Sequence, residues 1–462
     1  MKHNVIDEIV KNDLCIGCGI CAGICPHKIL EIHENKCGEY VPFETQECNS
    51  SCSLCLEVCP FSSDENETQI GAQIYGSLDG SKCLSETGYY LDSYVGYSKE
   101  FRESSASGGM ATWLITKMLR EEIIDYVICP TSLKNPEKLF HFEIISNVNS
   151  VKAASGSVYY PVEMSGIVKK ILEIPGHYAV IGLPCFIKAL RLAAYKNRKL
   201  KERIVFTIGL VCGQMKNKHY TKYITALASA GNSGKLQGVY YRGKSSDKPA
   251  SNYYFQCIDD QGLQYKLFWD EGISEAWVNR WFTPNACNYC DDVFAELADI
   301  VFMDAWLPEY SRDGRGTNLV LVRSPEILAC IQEGIEKKEI SANKIPIEKL
   351  IESQSEVIDF KRNQFSFRLY TAFHKGQKVP KKRVCAGNKI NALKKREIEL
   401  KTEMQEESKK LFLNCCQNGV LNIKKFRSGM QPYIKRTKKL RLFGKIGLPI
   451  QVIKRIKKKW GK

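Results

Sequence analysis

What this sequence lacks narrows it first. No stretch offers 18 uninterrupted apolar residues, so no membrane-spanning helix is expected. Met1–Val10 has no apolar core of the kind a secretory leader carries, and a disulfide framework, which needs an oxidising compartment, is disfavoured with it. The first 380 residues also lack a net positive charge. The chain totals +16, yet the stretch 381–462 holds 25 Lys+Arg against 5 Asp+Glu, which leaves the preceding body at −4. A general nucleic-acid surface on that body is therefore not expected, and no specific nucleic-acid partner is.

Cysteine, by contrast, is abundant: 20 residues in 462, nine of them within the first 59. Eight form two runs, Cys15, Cys18, Cys21, Cys25-Pro26 and Cys48, Cys52, Cys55, Cys59-Pro60. This is the spacing of a bacterial ferredoxin domain with two [4Fe–4S] clusters. Three closely spaced thiolates wrap one cubane, and the fourth, followed by proline, reaches the other. The expected ligand sets are crossed: Cys15, Cys18, Cys21 and Cys59 for one cluster, Cys48, Cys52, Cys55 and Cys25 for the other. Zinc sites favour two separated CxxC pairs and fit less well. The first gap of the second run is one residue longer than usual, so Cys37 competes with Cys48 as a ligand. Exposed clusters and unpaired cysteines suit the reducing cytoplasm of an anaerobe or microaerobe.

A second set of cysteines lies farther on. The β-rich runs Tyr178–Leu183 and Ile204–Val211 lead into Cys185 and Cys212, while Cys287 and Cys290 precede the run Ile300–Met303. Functional groups of open α/β sheets collect at the carboxyl ends of strands, where Cys185, Cys212 and Asp304 would share an edge. Two readings stay open here: a third metal site, with [4Fe–4S] favoured over zinc, or small buried thiols that only pack. Cys37, Cys83, Cys129, Cys257, Cys330, Cys385, Cys415 and Cys416 lack comparable partners, and packing is expected of them.

Two turns suit an anion. Ser105, Ser107, Gly108 and Gly109 precede a helix expected over Met110–Glu121, and Ser155, Gly156 and Ser157 form a second small-residue turn. Neither is a GxGxxG or Walker loop, so a Rossmann-bound nicotinamide dinucleotide and ATP are unsupported. A plain helix N-cap is the competing reading of each.

Together these segments resemble the coenzyme F-420 hydrogenase/dehydrogenase beta-subunit family. The resemblance rests on Cys59-Pro60-Phe61-Ser62, Ser105–Gly109, Ser155–Ser157 with Tyr159, Gly182–Cys185, Gly209–Gly213, Cys287-x-x-Cys290-Asp291, and Ala298–Ile300 leading to Asp304-Ala305-Trp306. It spans roughly residues 1–375. It implies a cytoplasmic iron–sulfur flavoprotein, with FAD at Ser105, Ser107, Gly108, Gly109, Ser155, Gly156 and Ser157. It also implies a third [4Fe–4S] cluster drawing on Cys185, Cys212, Cys287 and Cys290, with Asp291 an alternative ligand. Two departures stand out. Val158 lies where the family's Gly-Ser-Lys-Tyr turn has lysine, removing a cation beside the flavin or an acidic substrate. Met303 replaces the glycine before Asp304.

The expected fold is an α+β ferredoxin-like 2[4Fe–4S] domain (1–75), an α/β flavin-binding domain with a mixed or mostly parallel sheet (90–375), and a basic helical C-terminal tail (381–462). The expected function passes electrons between ferredoxin or another redox protein and a small-molecule two-electron substrate, with FAD converting between one- and two-electron steps. The alternative is an electron-relay subunit without its own substrate site. In the tail, Ile450, Ile453, Ile456 and Trp460 fall on one helical face among lysines. That pattern suits either the anionic inner face of a membrane or a solvated charged tail.

Overall fold

The computed structural model of the chain describes residues 4–48 and 51–446. The amphipathic stretch around Ile450–Trp460 lies outside the described residues.

The amino-terminal unit pairs strand β1 (Leu30–Glu34) antiparallel with β2 (Tyr40–Glu44). Two short helices, Ile20–Ile24 and Leu54–Glu57, carry Cys21 and Cys55 and face each other. Ile20, Ile24, Leu56, Val58 and Phe61 fill the space between the cysteine runs. This unit is docked by ion pairs such as Lys218–Glu34 at 2.8 Å and Lys196–Glu57 at 2.6 Å, and by close backbone contact. The Cys18 carbonyl accepts from Met164 N at 2.9 Å. Gly19 has φ +78°, and a Cβ there would sit 2.6 Å from Glu163 Oε2 and 2.9 Å from Ser165 N. Only glycine serves both the left-handed turn and the close approach.

A small hairpin, β3 (Lys82–Leu84) with β4 (Gly88–Tyr90), leads into the central sheet. Its strands are β5 (Asp92–Ser98), β6 (Tyr126–Ser132), β7 (Phe140–Ile145), β8 (Tyr178–Gly182) and β9 (Ile204–Leu210). A separate three-stranded antiparallel sheet follows, of β10 (Leu236–Gly243), β11 (Tyr254–Asp259) and β12 (Gln264–Phe268). The chain then returns as β13 (Ile300–Asp304), β14 (Asn318–Val322) and β15 (Ile340–Lys344) to give the order β15-β5-β14-β13-β9-β8-β6-β7.

The sheet is mixed. Only β6, β8, β9 and β13 run parallel, in three of the seven pairings. The remaining four pairings are antiparallel; of these, β6–β7 is closed by a connection too short for a helical crossover. Both faces of the centre are covered. Val127, Ala179, Ile208 and Ile300 face a layer with Met110, Leu114 and Ile327, while Ile128, Tyr178, Val180 and Val301 face Val168, Phe186 and Leu190. Burial on both sides explains why these strands read as continuous apolar runs.

The basic segment after residue 380 differs from a solvated tail. Helices Ala392–Cys415 and Ile423–Ile446 pack antiparallel and lie on the body. Their apolar residues are sparse, but Met404, Phe412, Phe426 and Met430 are all buried against the Tyr223/Trp281/Phe282 region. Phe426 stacks on Phe282 at 5.6 Å between ring centroids, and Ser408 Oγ accepts from Phe282 N at 2.9 Å. A few large residues, widely spaced in a charged sequence, suffice because they share one aromatic seam.

His219 stacks on Phe412 with ring centroids 4.0 Å apart, and its Nδ1 is buried without a partner. Burial pushes its pKa down to about 3, and neighbouring lysines lower it further. The unfolded chain therefore binds the extra proton below the ordinary value of 6.5, and stability is lost as the pH falls below it. We expect denaturant unfolding to show a loss of about 1 kcal/mol per pH unit between pH 6.5 and 5 from this group. His219→Phe removes that part of the slope; an unchanged slope contradicts the assignment.

Candidate functional site

The twelve cysteines of the two sets meet in three quartets, and each quartet joins segments distant in sequence. In the first, Cys15, Cys18, Cys21 and Cys59 are close neighbours. Burial pushes the Cys18 thiol up to about 12 and that of Cys59 to about 11, and raises Cys15 and Cys21 as well. Gly17 N donates to Cys15 Sγ at 3.4 Å, a contact made by the left-handed turn at Gly17. The second quartet, Cys25, Cys48, Cys52 and Cys55, lines one cavity of about 360 Å³ beside Pro26, Ile29 and Leu54. Cys37 lies elsewhere, near Glu39 and Lys409, so Cys48 takes the position for which the two competed.

Cys185, Cys212, Cys287 and Cys290 line another cavity, of about 280 Å³. The parallel centre of the sheet positions two of them. Cys185 is the second residue of helix Pro184–Lys196, directly beyond β8, and Cys212 lies two residues beyond β9. Cys287 is on the turn Asn285–Tyr289 and Cys290 directly follows it. The next stretch is anchored by the fully buried Arg323, which donates to the carbonyls of Ala298 at 2.9 Å, Ala295 at 3.2 Å and Phe294 at 3.3 Å. Met215 N donates to Cys287 Sγ at 3.4 Å. Burial pushes Cys212 up to about 12 and raises Cys185 and Cys287.

Ile16 and Phe61, both from the amino-terminal unit, also line this cavity. Cys18 of the first quartet is close enough to raise the pKa of Cys185. The two quartets are thus neighbours across an apolar wall.

Buried cations surround the third quartet, and none was visible as a site residue in the sequence. Lys361 Nζ stands 3.1 Å from Cys290 Sγ and donates to Asp292 O at 2.5 Å. Lys216 Nζ, wholly buried, donates to Trp281 O at 2.7 Å. Arg280 stacks on the ring of Phe360, the residue before Lys361, at 3.9 Å, and thiolates at Cys287, Cys212 and Cys290 would favour its charge. Burial pushes its pKa down to about 10, so it stays cationic at neutral pH. Asp291 is not part of the cavity. It is buried against Arg383, 3.3 Å away, and Lys382, 3.8 Å away, in an ionic cluster with Glu67, Lys188 and Glu296. That pairing removes Asp291 as an available ligand.

Among the described residues no three His, Cys, Asp or Glu side chains close round a point as a single-ion site requires. The cysteines instead ring open volumes, and an all-thiolate donor set is the chemistry of iron–sulfur cubanes rather than of hard cations. Desolvated thiols clustered in fours also fit a centre whose own charge compensates the thiolates.

The Ser/Gly turns occupy a different part of the sheet edge. Ser105 Oγ and Ser155 Oγ are 3.0 Å apart, so the two turns meet, and Ser107 Oγ donates to Thr317 O at 3.1 Å. Gly108 packs on Asn318 and Gly109 has φ +78°. Met110 N is already taken by Asn318 Oδ1 at 3.1 Å, so the helix start is capped by a side chain. Gly156 and Ser157 lie on the more open side of the turn. Lys244, from the end of β10, reaches the carbonyls of Arg102 and Ser107. Burial pushes its pKa down to about 8. Asp304 faces this region rather than the cysteines: it pairs with Arg242 through contacts of 2.6 and 3.0 Å. The Arg242 guanidinium lies 4.7 Å from the Tyr253 ring and 5.5 Å from Trp306, and its Nε is buried without a partner. Met303, in place of glycine, is buried in β13, and its carbonyl accepts from Asn318 Nδ2 at 3.3 Å. An aromatic wall, two cations and an orphaned donor fit an aromatic, phosphate-bearing ligand. Sequence patterns missed Arg242 and Lys244, whose only signal was Arg242-Gly243-Lys244 at a strand end.

Comparison with known proteins identifies a family for the body of the chain. Residues 93–169 match the amino-terminal part, and residues 176–348 the carboxyl-terminal part, of the coenzyme F420 hydrogenase/dehydrogenase beta-subunit family. Residues 8–31 match the 4Fe-4S binding domain. The chain is 22% identical over 214 residues to the F subunit of the F(420)H(2) dehydrogenase from Methanosarcina mazei, covering 45% of this chain and 55% of that one. It is 26% identical over 193 residues to the coenzyme F420-dependent sulfite reductase of Methanocaldococcus jannaschii, covering 41% of this chain and 27% of that one. The chain thus spans about half and about a quarter of these relatives' lengths. A solved chain of the F420-reducing [NiFe] hydrogenase complex from Methanosarcina barkeri aligns with TM-score 0.49 and 17% identity over 64% of this chain and 98% of that one. No helix among the described residues is long and apolar enough to cross a membrane.

Three cubanes require about twelve iron atoms per chain. On anaerobic reconstitution, Cys185→Ser or Cys287→Ser is expected to lower iron to about eight, and Cys37→Ser to leave it unchanged. Retention of all the iron in both third-quartet variants contradicts that quartet as a cluster site.

Proposed function

Because this chain belongs to the coenzyme F420 hydrogenase/dehydrogenase beta-subunit family and carries an iron–sulfur domain at its amino-terminal end, we propose that it is an iron–sulfur flavoprotein oxidoreductase. In this reading it passes electrons between a ferredoxin-like protein and a small two-electron substrate. The amino-terminal quartets hold two [4Fe–4S] clusters, Cys185, Cys212, Cys287 and Cys290 hold a third, and FAD lies at Ser105–Gly109 and Ser155–Ser157. When bound, the clusters store single electrons and the flavin exchanges one for two.

The supporting observation is the shared wall between the first and third quartets. Ile16 and Phe61 belong to the cysteine runs of the first, yet they line the cavity of the third. Their side chains exclude water between the two and hold them at a fixed separation. At the other site, Lys244 supplies positive charge and Arg242, paired with Asp304, a free Nε donor for a diphosphate, while Tyr253 and Trp306 supply flat surfaces for a ring system. Lys244 also replaces, from a different segment, the cation lost at Val158.

A second reading, an electron-relay subunit of a larger complex, is favoured by what one relative is called, since it is one of several chains of a dehydrogenase. One experiment separates the two. The anaerobically purified, full-length chain is expected to retain stoichiometric FAD, to be bleached by reduced ferredoxin, F420H2 or a reduced nicotinamide, and to recolour with a small-molecule acceptor. Flavin that bleaches but recolours only with a partner protein supports the relay. A chain that takes up iron but no flavin overturns the flavoprotein reading.

A further inference from the structure

Arg280 is placed at a cost to the fold that nothing in the surrounding protein offsets. It sits at φ +61°, two residues before Phe282 at φ +60°, in a tight turn where neither side chain is glycine. Its neighbour Trp281 is wholly buried, and Arg280 itself is only 5% exposed. Nε and Nη2 are both buried without hydrogen-bond partners, and among the described residues no carboxylate pairs with the guanidinium. It lies on the Phe360 ring at 3.9 Å, a ring it shares with Arg368, so the next nearest cation adds repulsion. The groups that favour its charge are Cys287, Cys212 and Cys290.

A buried guanidinium with free donors requires an anion. Four thiolates around a cubane make one, and it becomes one charge unit more negative on reduction. A fixed cation nearby favours the reduced form, and a cationic N–H donor on sulfur, such as Lys361 on Cys290, acts in the same direction. Lys361, 3.1 Å from Cys290 Sγ, adds a second cationic donor from another helix. Among the described residues nothing equivalent is packed on the second quartet, whose cavity is lined by Asn4, His27 and Glu44 besides apolar residues and its cysteines.

We infer that Arg280, aided by Lys361, is a positioning residue that raises the reduction potential of the cluster held by Cys185, Cys212, Cys287 and Cys290. The pair thereby favours reduction of that cluster over that of the second quartet. This rests on the third-cluster reading proposed above. Electrons entering at the amino-terminal unit are drawn toward the sheet edge by charge built into the body.

The test is an EPR-monitored potentiometric titration of the full-length, anaerobically reconstituted chain. Arg280→Met is expected to lower one midpoint by at least tenfold in the one-electron equilibrium constant, about 59 mV, and to leave the other two in place. Arg280→Lys, which keeps the charge, restores most of the shift. Three unmoved midpoints, or an equal displacement of all three, overturn the inference. If Arg280→Met does not take up iron, Lys361→Met against Lys361→Arg decides: a midpoint lowered by the first and kept by the second supports it, and no change overturns it. Wild-type iron of about eight rather than twelve overturns the third cluster itself, whereas about twelve irons with unmoved midpoints overturns only the tuning role.

Discussion

The geometry of this protein depends on how closely one backbone approaches another. Cys18 O meets Met164 N, and Gly19 allows Glu163 and Ser165 into space that a Cβ would fill. This contact puts the first cysteine quartet against the end of the parallel strands, where the third quartet forms. Electron transfer between centres depends steeply on distance, so close main-chain contact suits a unit that works by holding redox sites in register.

The charged seam at the rear of the junction has a similar logic. Glu67, Lys188, Lys382, Asp291, Arg383 and Glu296 are nearly inaccessible and come from four separate stretches. Buried pairs of this kind add little net stability, since desolvation offsets the attraction. Breaking one is costly all the same, on the order of 3–5 kcal/mol, because the widowed charge stays buried. The seam therefore selects one arrangement of the segments more than it strengthens that arrangement. It also engages Asp291, whose position after Cys290 would otherwise make it a competing ligand.

What was legible in the sequence follows the range of the interactions. The two amino-terminal cysteine runs are local patterns, and the crossed grouping of Cys25 with Cys48, Cys52 and Cys55 appears in the fold as spacing alone suggested. The four central strands were legible because they are apolar on both faces. β7 and β15, which are edges, and the internal β5 and β14 were not, although β14 is buried along its whole length. Arg280, Lys361, Arg242 and Lys244 were hidden for a simpler reason. Lys361 acts on Cys290 across 71 positions, and a lone Lys or Arg in a helix or turn reads as a solvated charge. The docking of the carboxyl-terminal helices on the body was not legible, because Phe412 and Phe426 are few, although they meet a dense aromatic patch there.

Lys382 and Arg383 close over Glu67, Asp291 and Glu296 from a point in the chain beyond every one of the twelve clustered cysteines. Synthesis runs from the amino terminus, so all the thiols emerge before the residues that shut the seam. The nascent protein therefore has an interval in which every clustered thiol is made and the seam is still unlatched.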